Sequence, residues 1–279
     1  MTTGSPHQVR RIQPTRGWWS TQDFRELAAS HELLYFLMWR TIKVRYRQTF
    51  LGAGWVIAQP LLTMLVFSVF LGRLGKLPSG GLPYPVFALA GLIPWAYFAN
   101  AVGNATNSLV DNERLLTKVY FPRILLPLAV VIAGLLDLMI ALVVLVVVGA
   151  AYGLVLGAPA LALPGFILLA VAAALGPGLW LSAWNVQYRD VRQLVPFLMQ
   201  VLLFVTPVVY ASSLVPQKWR LVYALNPMAS VLDGFRWAVL GGAPVPAACL
   251  AASASVAFAI LLSGLWYFRW VERRFADIV

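Results

Sequence analysis

The chain has 279 residues, of which 61% are hydrophobic and 11% charged, with a formal net charge of +11. That is too little charge to clothe a soluble domain of this size, so the composition specifies an integral membrane protein and excludes an ordinary cytosolic one. A single cysteine, Cys249, rules out an internal disulfide and a cysteine metal cluster.

The opening MTTGSPHQVRRIQPTRGWW is polar and basic and has no short apolar core of the kind a cleavable signal carries. A tail over 1–22 is therefore expected to remain in the cytoplasm. Ser20, Thr21, Gln22 and Asp23 are helix-start signals, and Phe24, Leu27, Leu34 and Met38 then recur at helical spacing, which predicts an amphipathic helix over 23–50. Within it Trp39, Ile42 and Tyr46 form one stripe, and Arg40, Lys43 and Arg47 another about 100° round the axis. An apolar stripe beside a basic one suits a helix lying in the headgroup layer. Plain anchoring of the cytoplasmic side is the simpler reading, and ligand binding by the arginines is the other.

A membrane domain over 51–268 follows. Crossing a bilayer takes about 20 mostly apolar residues. The gaps between charges place six crossings at about 53–72, 84–106, 124–152, 162–186, 193–212 and 247–268. The third carries one acid, Asp137, and GAPALALP at 157–164 supplies the turn to the fourth. Lys and Arg number sixteen on the side shared with the N-terminus and five on the other, so both termini, including the tail 269–279, are expected inside. The net charge is mostly this asymmetry, and no nucleic-acid-binding module accompanies it.

Two connecting segments carry information. In SLVDNERLLTKVYFPR, 108–123, Asp111, Asn112 and Glu113 open a short helix over 110–119, and Lys118 closes it in keeping with the helix dipole. Leu115, Leu116 and Val119 form its apolar side, suited either to a groove on another protein or to the chain's own bundle. In SSLVPQKWRLVYALNPMASVLDGFRWAVLG, 212–241, two apolar pieces broken by Asn226-Pro227 are too short to span and read as re-entrant or interfacial helices.

Catalytic chemistry is scarce. FLGRLGKL, 70–77, lacks the first glycine of a phosphate-binding loop and follows Lys76 with leucine. LPSGGLP, 77–83, faintly resembles an ABC signature loop but lies in an outer connection. Asp137 is the one acid within a span and Asp233 stands alone outside, a poor basis for an enzyme. Asp137 suits a structural hydrogen bond at a helix or subunit contact better than a proton relay, since no partner is evident in the neighbouring spans. No internal repeat of the secondary-transporter kind is present.

LLYFLMWRTIKVRYRQTFLGAGWVIAQPLLTM, GLIPWAYFAN, LVDNERLLTKVYFPRILLPL, LSAWNVQYRDVRQLVPFLMQ and LNPMASVLDGFRWAVLG resemble, in order and spacing, the permease subunit of bacterial ABC-type polysaccharide exporters. The O-antigen exporter permeases are nearest, with teichoic-acid and capsule exporters as relatives, and the resemblance covers about 30–270. It implies an all-α membrane protein of the type-II ABC exporter permease fold. Six transmembrane helices would be joined by an N-terminal interfacial gate helix and two re-entrant helices in the last outer loop.

The resemblance further implies an inner-membrane homodimer working with two copies of a separate ATPase, on which ATP and magnesium reside; this chain itself binds no cofactor or metal. Asp111, Asn112, Glu113, Arg114, Leu115, Leu116 and Lys118 take the place of the coupling helix, and Tyr188, Arg189 and Asp190 that of a further ATPase contact. The substrate class is a polyprenyl-pyrophosphate-linked glycan. Arg40, Lys43, Arg45 and Arg47 are then candidates for its pyrophosphate, and Tyr97, Phe98, Trp180, Trp184 and Tyr188 for stacking on its sugars. The Pro60, Pro94, Pro177, Pro196 and Pro207 positions offer bends for gating or static kinks. Two rival readings are an ABC permease for a small lipid or drug, and an ATP-independent membrane glycosyltransferase or flippase.

Overall fold

The computed structural model describes residues 25, 29–47, 54–118 and 121–272. Gly52, Val119, the two tails up to 22 and from 273, and most of the expected start of the N-terminal helix lie outside the described residues. The described residues are helical with irregular connections, and no strand occurs among them.

In chain order, helix α1 covers His31–Arg47 and α2 Gly54–Phe67, the latter continuing as a π-helical stretch Ser68–Leu74. Helix α3 is Tyr84–Asn107, α4 Glu113–Lys118, α5 Leu125–Ala151 and α6 Leu163–Gln187. Helix α7 is Val191–Val205, α8 Arg220–Tyr223, α9 Pro227–Leu240 and α10 Ala247–Glu272. Five segments are long and apolar enough to cross a membrane: Gly54–Leu74, Tyr84–Asn107, Leu125–Ala151, Ala158–Gln187 and Ala247–Glu272. Helix α7 is apolar but has only 15 residues.

Helix α3 is the hub. It packs against α2, α5, α6, α7 and α9, and from Val86 to Trp95 every residue is buried. A helix apolar all round with neighbours on every side needs no amphipathic pattern, and its sequence shows none beyond a few polar residues near its C-terminal half. Against α6 it is tied by the buried Asn185, whose Nδ2 donates to the Thr106 carbonyl at 3.0 Å and to Asn107 Oδ1 at 3.2 Å. The most extensive helix pair is α6 with α10, and glycine explains its closeness. A Cβ at Gly264 would lie 2.6 Å from the Gly176 carbonyl oxygen, and one at Gly176 2.8 Å from the Leu261 nitrogen. Small residues let helix backbones approach where lipid gives no hydrophobic drive.

Helix α7 ends well before the expected crossing 193–212 does. Pro207 is the reason: the residue before proline is pushed out of the α region, and Thr206 is extended at φ −92°, ψ 145°. The chain then runs through 206–211 as non-helical backbone, with Thr206, Val208 and Val209 buried. Two of its carbonyls, and that of Val205 at the end of α7, are met by side chains, as backbone groups shut off from water must be. Tyr223 and Tyr210 donate to the Val205 carbonyl at 2.7 and 3.1 Å, Arg236 to Val208 at 2.7 Å, and Tyr84 to Val209 at 2.8 Å.

Helix α9 supplies Arg236 and is itself largely buried, packed on α3 and α6. Asn226 caps it, accepting from the Met228 nitrogen at 3.1 Å and donating to Thr206 Oγ1 at 2.8 Å; Pro227 occupies its first turn. Gly241, at φ +69°, ends it in the left-handed conformation. The guanidinium of Arg236 also faces Asp233 at 3.4 Å and lies 3.9 Å over the Phe87 ring. Asp233, alone in the sequence pattern, thus has its cation one helical turn away. The other apolar piece, around Leu221–Leu225, forms only the single turn of α8, with Leu221, Val222 and Leu225 exposed.

Candidate functional site: a polar cleft beside the N-terminal helix

A cleft of about 520 Å3 opens between α1, α2, α3 and α5, with Leu203 of α7 at one side. Its polar lining is unusual for a chain so apolar: Gln59 and Thr63 from α2, Asn100 and Asn104 from α3, Asp137 from α5 and Arg45 from α1. Trp55, Trp95 and Tyr97 supply aromatic surface. Helical geometry places each set. Gln59 and Thr63 are four apart, as are Asn100 and Asn104, so each pair presents one face, and Tyr97 precedes Asn100 by three on the same face. Pro60 breaks the α2 backbone ladder beside Gln59, and the Thr63 hydroxyl donates back to the Gln59 carbonyl at 2.8 Å.

The charged end of the cleft is a three-residue cluster. Arg45 Nη1 donates to one oxygen of Asp137 and the Tyr46 hydroxyl to the other. Asp137 therefore has the hydrogen-bond role read for it, at a helix contact, but its partners come from α1 rather than from a crossing helix. Gly134, one turn earlier on α5, lets the Tyr97 ring come close; the Tyr97 hydroxyl donates to the Val131 carbonyl at 3.3 Å. Burial first, then the bond to Asp137, pushes the Tyr46 phenol up to about 12, so it stays a donor throughout the neutral range.

Helix α1 is held along α5. Its Leu37 joins a cluster with Leu109, Phe121, Leu125, Leu126 and Ala129, whereas Arg45 and Tyr46 meet Asp137. Leu125 and Asp137 are twelve residues apart on α5, or about 18 Å along its axis, so α1 runs beside the first half of that helix. The four candidate cations are divided as a result. Arg45 faces the cleft; Arg40 Nη1 donates to Asn112 Oδ1 at 3.0 Å; Lys43 and Arg47 are exposed. Only Arg45 of the four candidate cations lines the cleft.

The other candidate residues fall into two groups. Asp111 and Asn112 lie in a 3-10 turn, Val110–Asn112, leading into α4, where Glu113, Arg114 and Lys118 are exposed. Leu115 and Leu116 pack toward the cluster around Leu37, so the apolar face of α4 is used by the chain's own bundle and its charged face points outward. Asp111 pairs with Arg192 at 3.7 Å, which brings the α4 region next to the exposed turn Tyr188, Arg189 and Asp190 between α6 and α7. All these elements form one end of the molecule, tied to α1 through Arg40.

Of the aromatic candidates, Tyr97 lines the cleft, while Phe98 is buried with its ring 5.5 Å from Trp95. Trp180 and Trp184 face α10 instead. Trp180 stacks on Tyr267 at 4.1 Å and donates to Ser263 Oγ at 3.1 Å, and Trp184 donates to the Tyr267 hydroxyl at 2.8 Å. Tyr188 is exposed beyond the helix end. Of the three residues at i, i+4 and i+8, Trp180 and Trp184 share a face that is taken up by α10 and not by the cleft, while Tyr188 falls past the end of the helix.

The cleft also uses Tyr46, Trp55, Gln59, Thr63, Trp95, Asn100 and Asn104, which are not among the candidates read from the sequence. Gln59 with Thr63 and Asn100 with Asn104 carry a sequence signal, as uncharged polar pairs at i, i+4 inside apolar segments, which are costly in lipid unless they face protein or a wet cavity; the three aromatics carry none.

Comparison with known proteins agrees with this architecture. The family described as ABC-2 type transporter matches residues 32–240, from the start of α1 to the end of α9. Over 216 residues the chain is 34% identical to the O-antigen export system permease protein RfbA of Myxococcus xanthus, covering 76% of this chain and 82% of that protein. A protein of the same name from Klebsiella pneumoniae is 30% identical over 217 residues, covering 76% and 81%. The polysialic acid transport protein KpsM of Escherichia coli is 24% identical over 213 residues, covering 74% and 80%. With a match over most of its length and a multi-pass helical structure, the chain belongs to the ABC-2 type transporter family of membrane permeases.

Proposed function

We propose that this chain is the membrane subunit of an ATP-driven exporter that carries a polyprenyl-pyrophosphate-linked glycan outward across a bacterial inner membrane. The relatives' names support the polysaccharide, and the cleft supplies chemistry that suits it. Amides at Gln59, Asn100 and Asn104 match sugar hydroxyls, indole and phenol faces at Trp55, Trp95 and Tyr97 match sugar rings, and Arg45 matches a phosphate. This conjunction of one arginine with amides and aromatics in a single cleft carries the reading.

In this account α7 and the segment after it make the fifth of six crossings, and α8 with α9 form the re-entrant cap on the outer side. Both termini are cytoplasmic. Two copies pair, with the apolar outer faces of α2 (Leu62, Leu65, Val66) and α7 (Phe197, Val201, Phe204), all exposed in the single chain, available for the contact. The charged face of α4 and the turn at Tyr188–Asp190 receive two ATPase subunits. ATP binding draws these elements inward and Arg40 passes the movement to α1, which opens the cleft to the headgroup while the glycan follows through the paired bundles. Repeated cycles then move a long polymer.

The test is the Arg45→Gln variant, assembled with its ATPase in nanodiscs. Substrate-stimulated ATP hydrolysis is expected to fall about tenfold or more, in line with loss of a charge-assisted contact to phosphate. Unchanged stimulation would remove Arg45 from the headgroup site.

A further inference from the structure

Arg45 reaches the cleft already paired. Its partner carboxylate is also held by Tyr46, so Asp137 keeps both oxygens engaged by α1. The Arg45 and Asp137 side chains retain 31% and 25% of their exposure, so the pair lies at the cleft wall within reach of a ligand and is not sealed in the core. A basic helix beside a membrane meets anionic phospholipids at high local concentration, and an arginine with no carboxylate beside it would be occupied by them. The cluster answers this problem.

The geometry points to Asp137 as the specificity-determining residue of the headgroup site: by neutralising Arg45, it reserves that arginine for headgroups of at least two negative charges and turns away singly charged phospholipids. This inference rests on the proposed role of Arg45.

The reasoning is electrostatic. A phosphodiester offers Arg45 the same single charge that Asp137 already offers, so exchange brings no Coulombic gain. It also leaves a carboxylate beside a membrane-spanning helix without its cation, which is costly. A pyrophosphate linking lipid to glycan carries two charges and more acceptor oxygens, and holds a guanidinium through two bonds at once. Its excess charge also repels the released carboxylate. Because Arg45 and Tyr46 sit on one helix and Asp137 on another, that repulsion acts to part α1 from α5, which widens the cleft on the side where the headgroup has docked. The discriminating group is thus one that never needs to touch the ligand, and its effect is confined to ligand charge. The amides and aromatic faces farther along the cleft are indifferent to this choice, since they carry no charge.

The test uses the full chain in phosphatidylcholine nanodiscs, with farnesyl pyrophosphate, farnesyl methyl phosphate (a singly charged diester), inorganic pyrophosphate and added phosphatidylglycerol as probes. The native chain is expected to bind farnesyl pyrophosphate about tenfold or more tightly than the singly charged diester, and phosphatidylglycerol is expected not to compete. In Asp137→Asn the preference should shrink to about threefold or less and phosphatidylglycerol should compete, whereas Asp137→Glu should retain the preference. Tyr46→Phe, which keeps the charge pair but frees one carboxylate oxygen, should give an intermediate preference and serves if Asp137→Asn does not fold. Full selectivity in Asp137→Asn, or in Tyr46→Phe where only that variant folds, overturns the inference. Inorganic pyrophosphate binding as well as the farnesyl form would assign the site to free anions and overturn its lipid-headgroup part. Arg45→Gln separates the two levels: undiminished farnesyl pyrophosphate binding there defeats the headgroup site itself. Loss of binding there, with selectivity retained in Asp137→Asn, defeats only the role of Asp137.

Discussion

Arg236 and Asp137 show how single residues decide this structure. Arg236 is 5% exposed, and its charge is tolerated because a carboxylate, a carbonyl and an aromatic face surround it. Gly91 makes room for this arrangement: a Cβ there would lie 2.2 Å from the Val208 carbonyl oxygen and 2.7 Å from Arg236 Nη2. Gly91→Ala is therefore expected to destabilise the fold by about 1–3 kcal/mol, as overpacking does, and to lower the thermal unfolding midpoint in detergent. An unchanged midpoint would show that the 206–211 segment shifts at little cost. Asp137 was legible as a costly intramembrane acid, and even as a hydrogen-bonding one. Its partners were not, because Arg45 and Tyr46 lie about 90 positions away on a helix outside the spans, and spacing rules relate only residues of one element. Asn100 and Asn104 were missed for a different reason: two amides in a long apolar run scarcely change its hydropathy, and only their shared face, opposite Gln59 and Thr63, gives them meaning.

At the level of elements, composition carried most of the information about the long helices. Tyr84–Asn107 and Leu125–Ala151 occupy nearly the stretches 84–106 and 124–152 that the charge gaps mark, because charge and proline-glycine turns end apolar helices in both descriptions. The stretch 193–212 fails this test since Pro207 is invisible to a hydropathy count but stops α7 at Val205. The direction of α1 could not be read either: stripes fix which residues share a face, not what the face meets. Its link to α4 makes a direct prediction. With Cys249→Ser as background, cysteines introduced at Arg40 and Asn112 should form a disulfide under mild oxidation and leave substrate-stimulated ATP hydrolysis intact, because the two positions move together. Loss of stimulation on cross-linking, restored by reduction, would show that α1 and the α4 region must move relative to one another. Helices α6 and α10 offer a second element-scale prediction. Gly264→Leu must push apart a contact where even a Cβ meets the Gly176 backbone at 2.6 Å, and the folded yield is expected to drop sharply, whereas Leu262, 65% exposed on the same helix, should accept alanine freely.

For the whole molecule, the single chain leaves apolar surface open: α2 has no fully buried residue, and its Leu62, Leu65 and Val66, together with Phe197, Val201 and Phe204 of α7, face outward. Lipid can cover such faces; in the proposed dimer a second copy covers them and extends the cleft bounded by α2, with Leu203 of α7 at its side, into a continuous route. Native mass spectrometry of the chain alone is expected to show a dimer, and of the assembled exporter a dimer with two ATPase subunits; a stable monomer carrying one ATPase would require another route for the glycan. Family membership and the multi-pass architecture were legible from motif order and charge gaps. The proposed pairing of copies is a matter of surfaces, which no single-chain pattern specifies. The most direct test of the account is transport itself: the chain and its ATPase reconstituted in vesicles with a polyprenyl-pyrophosphate-linked glycan on the nucleotide side. The account predicts ATP-dependent appearance of the glycan on the opposite side, lost in Arg45→Gln. Glycan movement at the same rate without ATP, or ATP-dependent movement of small lipids alone, would contradict it.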